Sequence, residues 1–219
     1  MSNKIFSSVL TAILSAFFFS LAATTAPYFY GVGGGVFLLL SVRYVSTFIF
    51  ASILNKSPKK TKSKATHTRL ILISIFQAIF IASYMYSISL IPLSLAVVVI
   101  YTFPIITFFV NSILKSRSID FLSAAALLIS LIGIWVLVQG DSSDWNLWGV
   151  FWGLIASIAQ VTVNILSRHK SVESGWGLIQ YIMVLPSIVF VLIYFIATSE
   201  PITSVSLEML IWSILSAMG

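Results

Sequence analysis

Cysteine is absent from the 219 residues, and histidine occurs only at His67 and His169. Disulfides, thiolate metal sites and cysteine nucleophiles are therefore excluded, and two histidines in separate basic stretches do not make a zinc site. Neither a metal nor a cofactor is expected. Charge is scarce as well: 8% of residues are charged, against about a quarter in a soluble globular domain. The six acids are Asp120, Asp141, Asp144, Glu173, Glu200 and Glu208, and none lies deep within the first seven apolar segments, Asp120 and Glu208 standing at segment ends. With no nucleophile, base and orienting group in any recognisable arrangement, the chain does not read as an enzyme. The one glycine cluster, Gly31 to Gly35, has neither the Lys-Ser/Thr ending nor the preceding strand of a phosphate loop.

What is present is apolar. Hydrophobic residues make up 59% of the chain, and the mean hydropathy is +1.06. The apolar runs are each around twenty residues, the length of helix that crosses a hydrocarbon core of about 30 Å. The sequence therefore predicts an all-α polytopic membrane protein, since helices satisfy their own backbone in lipid. The segments run over about 5–26, ending at Pro27, then 36–54, 70–90, 93–114, 121–138, 148–166 and 175–197. An eighth run, 207–219, is too short to span and reads as a truncated helix. Only Ile91 and Pro92 separate the third and fourth segments, which must then be antiparallel neighbours. The first segment is longer than the apolar core of a signal peptide and reads as a retained helix.

The net charge of +6 does not point to nucleic acid, because the basic residues sit in short loops and not along a face interleaved with aromatics. Six of the twelve lie between Asn55 and Arg69, and such an excess marks the cytoplasmic side. Threading the segments from that loop places Lys4, Lys115, Arg117, Arg168 and Lys170 inside as well, with Asp141, Asp144 and Glu200 outside. Trp145 and Trp148 then belong to the outer aromatic belt and Trp176 to the inner one. A multi-pass protein of a cell membrane, such as a bacterial inner membrane, is expected, with a cytoplasmic N-terminus. Attraction of the loop to anionic lipid headgroups would be a secondary effect of about 1 kcal/mol per basic residue.

The twelfth basic residue is Arg43, near the middle of the second segment. An Arg at the centre of a spanning helix costs about 2.5 to 3.5 kcal/mol on insertion scales and normally faces a partner or a wet cavity. It reads either as a contact for a solute or as a structural cation held by carbonyls or a headgroup. Uncharged polar groups accompany it: Gln77 and Tyr84, seven residues apart on one helix face; Tyr101; Gln180; and Gln160 and Asn164, four apart. They would line a solute path or join helices by hydrogen bonds of about 0.6 to 2 kcal/mol. Pro104 and Pro186 remove backbone donors inside apolar segments and expose carbonyls, or simply kink the helix. Gly133, Gly149 and Gly153 read as close-packing points.

The first five segments precede a loop reading Q-G-D-S-S-D-W-N, after which a segment with A-S-I-A-Q-V-T-V-N restarts the small and polar character of S-L-A-A-T-T. Five being odd, a second copy would enter from the opposite face. With Arg43 in the second segment, the close pair S-I-S-L-I-P-L-S-L-A-V-V-V-I-Y-T-F-P-I-I-T-F-F-V, and N-I-L-S-R-H-K closing the sixth, the chain resembles EamA-type members of the drug/metabolite transporter superfamily. Leu114-Lys115 stands where the family often has Gly-Glu, and Gln160 where it often has Trp. The resemblance implies ten helices in two inverted five-helix repeats, so that 1–138 would be the first and 139–219 the start of the second. It further implies a carrier for a small polar or amphipathic metabolite or drug, bound centrally. Its partners would be that solute and membrane lipids, and a homodimer is compatible with this reading. The competing reading is a non-transporting membrane scaffold, whose polar residues only join helices.

Overall fold

The computed structural model describes residues 2–54, 64–115, 146–168, 175–197 and 206–217, with isolated positions at 125, 129, 132, 133 and 136. The described residues are helical and contain no strand. They form α1 (Ser2–Gly31), α2 (Val36–Leu54), α3 (Lys64–Leu90), α4 (Leu93–Ile100), α5 (Phe103–Lys115), α6 (Leu147–Ser167), α7 (Gly175–Ala197) and α8 (Leu207–Ala217). With α4 and α5 taken as halves of one broken helix, these are seven helices. The eight-helix count and the ten-helix repeat scheme expected from the sequence are not what the described residues form. The expected segment 121–138 falls almost wholly outside them, and so do residues 55–63, Arg117, Trp145 and Lys170. Three stretches among the described residues are long and apolar enough to cross a membrane: Thr66–Leu90, Leu93–Val110 and Leu147–Ser167.

Helix ends differ from expectation for identifiable reasons. α1 does not stop at Pro27 but carries it internally and continues to Gly31. A proline removes one helical hydrogen bond, which an otherwise apolar helix tolerates. The real stop is Gly33, with φ of 86°, where Gly33 N–H donates to Tyr30 O at 3.0 Å and Gly34 N–H to Phe29 O at 3.1 Å. This pair of bonds is a Schellman cap, so the glycine cluster is a helix stop. α3 begins at Lys64, six residues before the apolar run, because Lys, Ala and Arg are good helix formers that carry the helix past the apolar boundary. Asn146 caps α6 by accepting from Trp148 N–H at 3.0 Å, and Ser206 caps α8 by accepting from Met209 N–H at 3.2 Å.

The described helices sort into two compact units, residues 1–57 with 183–219 and residues 58–182. In the first, α8 packs on both α1 and α2; Tyr28 stacks on Trp212 with ring centroids 5.1 Å apart, and Tyr44 stacks on Phe190 at 5.4 Å. In the second, α6 lies along α3 and touches α4 and α5. Leu70 and Ile73 of α3 cluster with Val163, while Ser87 of α3 bonds to Gly149. One helix therefore ascends as the other descends.

The surface pattern identifies the solvent. Phe17, Ile53, Ile129, Ile132 and Ile196 are all more than half exposed, while Thr25, Ser41, Arg43, Ser74, Ser87 and Ser157 are buried. Apolar groups outside and polar groups within is the distribution favoured when the surroundings are hydrocarbon, where a polar group must find its partners inside the protein.

Candidate functional site

In the unit of residues 58–182, the site-bearing helices are brought together by small residues of α6. Gly149, Gly153 and Ser157 recur every four residues and so form one stripe. A Cβ on Gly149 would stand 2.5 Å from Ile91 Cγ2, and one on Gly153 would stand 2.8 Å from Val99 Cγ1 and 3.2 Å from Ser87 Oγ. The expected close packing holds at both. It does not hold at Gly133, where a Cβ would meet nothing within 4 Å; that glycine is on an exposed face. Ser87 Oγ donates to Gly149 O at 2.7 Å, a bond that the missing side chain allows.

The third small residue serves the broken helix. Pro104 has no N–H, so the carbonyl of Ile100, four residues earlier, loses its helical donor. Ser157 Oγ takes that place, its one proton shared between Ile100 O at 2.8 Å and Val99 O at 3.0 Å. The one proton of Thr102 Oγ1 is in turn shared between Ser157 Oγ at 2.9 Å and Val99 O at 2.8 Å. The expected single fourth segment is split at Tyr101 and Thr102 for this reason. Carbonyls exposed at Pro104 are thus bonded by a neighbouring helix.

The same stripe of α6 continues into amides. Gln160 Nε2 donates to Asn164 Oδ1 at 3.2 Å. Gln160 Oε1, and Ser74 Oγ on α3, are buried without a hydrogen-bond partner among the described residues. Ten positions before Ser87 lies Gln77, and eleven after Gly149 lies Gln160. At about 1.5 Å per residue these advances are about 15 and 16.5 Å along antiparallel helices. The helix register therefore sets Gln77 and Gln160 at one level, with Ser74 and Asn164 a turn further on. Tyr84 is fully buried and stacks on Phe80, centroids 6.2 Å apart. Tyr101 is not gathered with these groups: it is 48% exposed and stacks on Phe103. The side chain of Gln180 lies outside the described residues.

In the unit of residues 1–57 with 183–219, Arg43 of α2 is only 5% exposed. Its charge acts electrostatically on Tyr30 and Tyr44. Tyr44 is 1% exposed, and its hydroxyl is buried without a hydrogen-bond partner among the described residues. Thr47 Oγ1 donates to the Arg43 carbonyl at 2.8 Å, and Ser41 Oγ to Phe37 O at 2.7 Å. Both hydroxyl protons are thus donated to carbonyls of α2 itself. Pro186 is fully buried within α7. Glu208, the single acid among the described residues, is exposed in the first turn of α8.

Sequence reasoning singled out Arg43 and the amides but missed Ser157, Thr102, Ser74, Ser87 and the Tyr44 hydroxyl. Two signals were available for part of this: the four-residue spacing from Pro104 back to Ile100, and the Gly-x-x-x-Gly-x-x-x-Ser run from 149 to 157.

Residues 6–139 match the model of the EamA-like transporter family. No curated protein matches the chain, and no solved structure does.

Proposed function

The chain belongs to the EamA-like transporter family, and from that premise we propose that it is a secondary carrier that moves a small polar or amphipathic metabolite or drug by alternating access. Burial of Arg43 within α2 is the observation that carries the reading. Inserting that guanidinium costs about 2.5 to 3.5 kcal/mol, and its place well inside the helix suits contact with a solute. Within the unit of residues 58–182 taken by itself, Gln77 and Gln160, set at about one level of α3 and α6, and Asn164, a turn further on, are the second-rank candidates for solute contact. Ser74 joins them, since its hydroxyl is buried with no hydrogen-bond partner among the described residues and a buried hydroxyl left unbonded is costly. The family match ends at residue 139, which supports taking 1–138 as one repeat and 139–219 as part of a second. The carrier would lie in a cell membrane with loop 55–69 on the cytoplasmic side, following the positive-inside rule.

Cells with and without the protein, compared by accumulation and release of a metabolite panel, test this. A solute whose flux depends on the protein should appear. Arg43→Ala should lower that flux at least tenfold and Arg43→Lys should fall between, since Lys keeps the charge and loses the planar fork. If both variants fold and transport as wild type, Arg43 is not a solute contact.

A further inference from the structure

The break between α4 and α5 gathers more acceptors than donors. Val99 O, Ile100 O, Thr102 Oγ1 and Ser157 Oγ are linked by contacts of 2.8, 2.8, 2.9 and 3.0 Å. Each hydroxyl brings one proton and two lone pairs, and each carbonyl brings two lone pairs and no proton. Two hydroxyl protons therefore serve four oxygens, helped by a longer bond from Thr102 N–H to Val99 O at 3.2 Å. Replacing the donor lost at Pro104 needs Ser157 alone. The Thr102 hydroxyl adds a further oxygen to a place already rich in them.

The position of the cluster adds negative potential. Tyr101 and Thr102 are the ninth and tenth residues of the 18-residue apolar stretch Leu93–Val110, so the break falls at its middle. There α4 ends, at Ile100, and the last carbonyls of a helix together carry about half a negative elementary charge. Ser157 and Ile100 are 0% and 2% exposed, which leaves that potential little screened. Thr102 is half-buried, so the cluster is approached from its side.

Closely spaced neutral oxygens at the end of an interrupted helix are ligands for a hard cation. Their chemistry selects its charge. None of the four is ionised, and among the described residues no three His, Cys, Asp or Glu side chains come together. A divalent ion would bring two charges to a site that offsets about half of one, a mismatch that is costly away from water. A monovalent ion fits better, and the short separations between the oxygens suit a small one. A proton is not the ligand, because no group among the four titrates near neutral pH. The lack of acids and thiolates that excludes a zinc centre leaves a site of carbonyls and hydroxyls untouched.

We propose that Val99 O, Ile100 O, Thr102 Oγ1 and Ser157 Oγ form a sodium site at the break between α4 and α5. On binding, the Ser157 hydroxyl turns its proton to the carbonyl of Gly153, four residues back on its own helix, and presents lone pairs to the ion. The ligands come from α4, from the residue after its end and from α6, so an occupied site ties the two helices together. The site stands on the break itself and does not rest on the carrier reading.

The protein in phosphatidylcholine nanodiscs is unfolded by heat in choline chloride, with sodium or potassium chloride replacing choline at constant ionic strength. Sodium is expected to raise the unfolding temperature in a saturable way, and potassium to need about tenfold more for the same shift. Thr102→Val, which keeps the shape and removes the hydroxyl, should also need about tenfold more sodium, while Thr102→Ser should respond as wild type. Ser157→Ala should lose the shift, and Thr102→Val carries the test if Ser157→Ala does not fold. No shift, or equal shifts with sodium, potassium and choline, overturns the proposal, because the cluster is then held by its own hydrogen bonds alone. So does a sodium shift that Thr102→Val leaves unchanged, or one that calcium chloride reproduces at the same concentration.

Discussion

Replacing Ser157 with alanine tests the account of the broken helix most directly. Ser157 Oγ is the donor that reaches Ile100 O at 2.8 Å, and Ile100 is 2% exposed, so its carbonyl has no route to solvent. Thr102 Oγ1 keeps its own bond to Val99 O, so the loss falls chiefly on one carbonyl. An unsatisfied buried acceptor costs about 1 to 3 kcal/mol, while interhelical bonds measured in membranes average about 0.6 and reach about 1.7. The serine is therefore expected to contribute about 1 to 2 kcal/mol. The decisive version is a double-mutant cycle with Pro104→Ala. An N–H restored at position 104 can donate to Ile100 O as in an unbroken helix, so Ser157→Ala should cost less than about 0.5 kcal/mol in that background. Reversible unfolding in mixed micelles by a graded denaturing detergent reads both numbers. If Ser157→Ala costs the same with and without Pro104, the serine is not replacing the proline's missing donor and the reasoning fails.

The stripe of α6 makes a second set of outcomes. Gly149→Ala and Gly153→Ala should each destabilise by about 1 to 2 kcal/mol through overpacking against Ile91 and Val99. Gly133→Ala, with nothing within 4 Å, should be neutral or gain up to about 1 kcal/mol of helix propensity; the same detergent titration separates them. Gly33→Ala should cost about 1 kcal/mol because φ is 86° there, visible as a lower unfolding temperature without loss of helical circular dichroism.

How much was legible beforehand depended on the range of the interaction. Segment positions follow from apolar length, and α6 and α7 lie within a residue or so of where hydropathy alone puts them, because the cost of exposing backbone to hydrocarbon acts on each residue independently. The stop of α1 was not legible. Pro27 looked like the terminator, but in an apolar helix one lost bond is weaker than continued burial, and the helix ran on to a glycine that can take positive φ. The glycines of α6 were correctly read as packing points from their type and spacing, yet Gly133 carries the same residue type and packs on nothing. Only a neighbour's position distinguishes them.

The sequence by itself determined that this chain is a helical membrane protein of the EamA-like transporter family, that none of its acids lies deep within the first seven apolar segments, and that Arg43 is the basic residue unexplained by loop charge. Those properties are sums over residues or matches to a pattern. The tertiary structure decided which polar groups are already satisfied. It gave Ser157 to the carbonyl freed by Pro104, left the hydroxyls of Ser74 and Tyr44 buried with no hydrogen-bond partner among the described residues, and put Tyr101 on an exposed face. The physical reason is that a hydrogen bond or a steric clash is settled within a few tenths of an ångström, by a residue that can be more than fifty positions away along the chain.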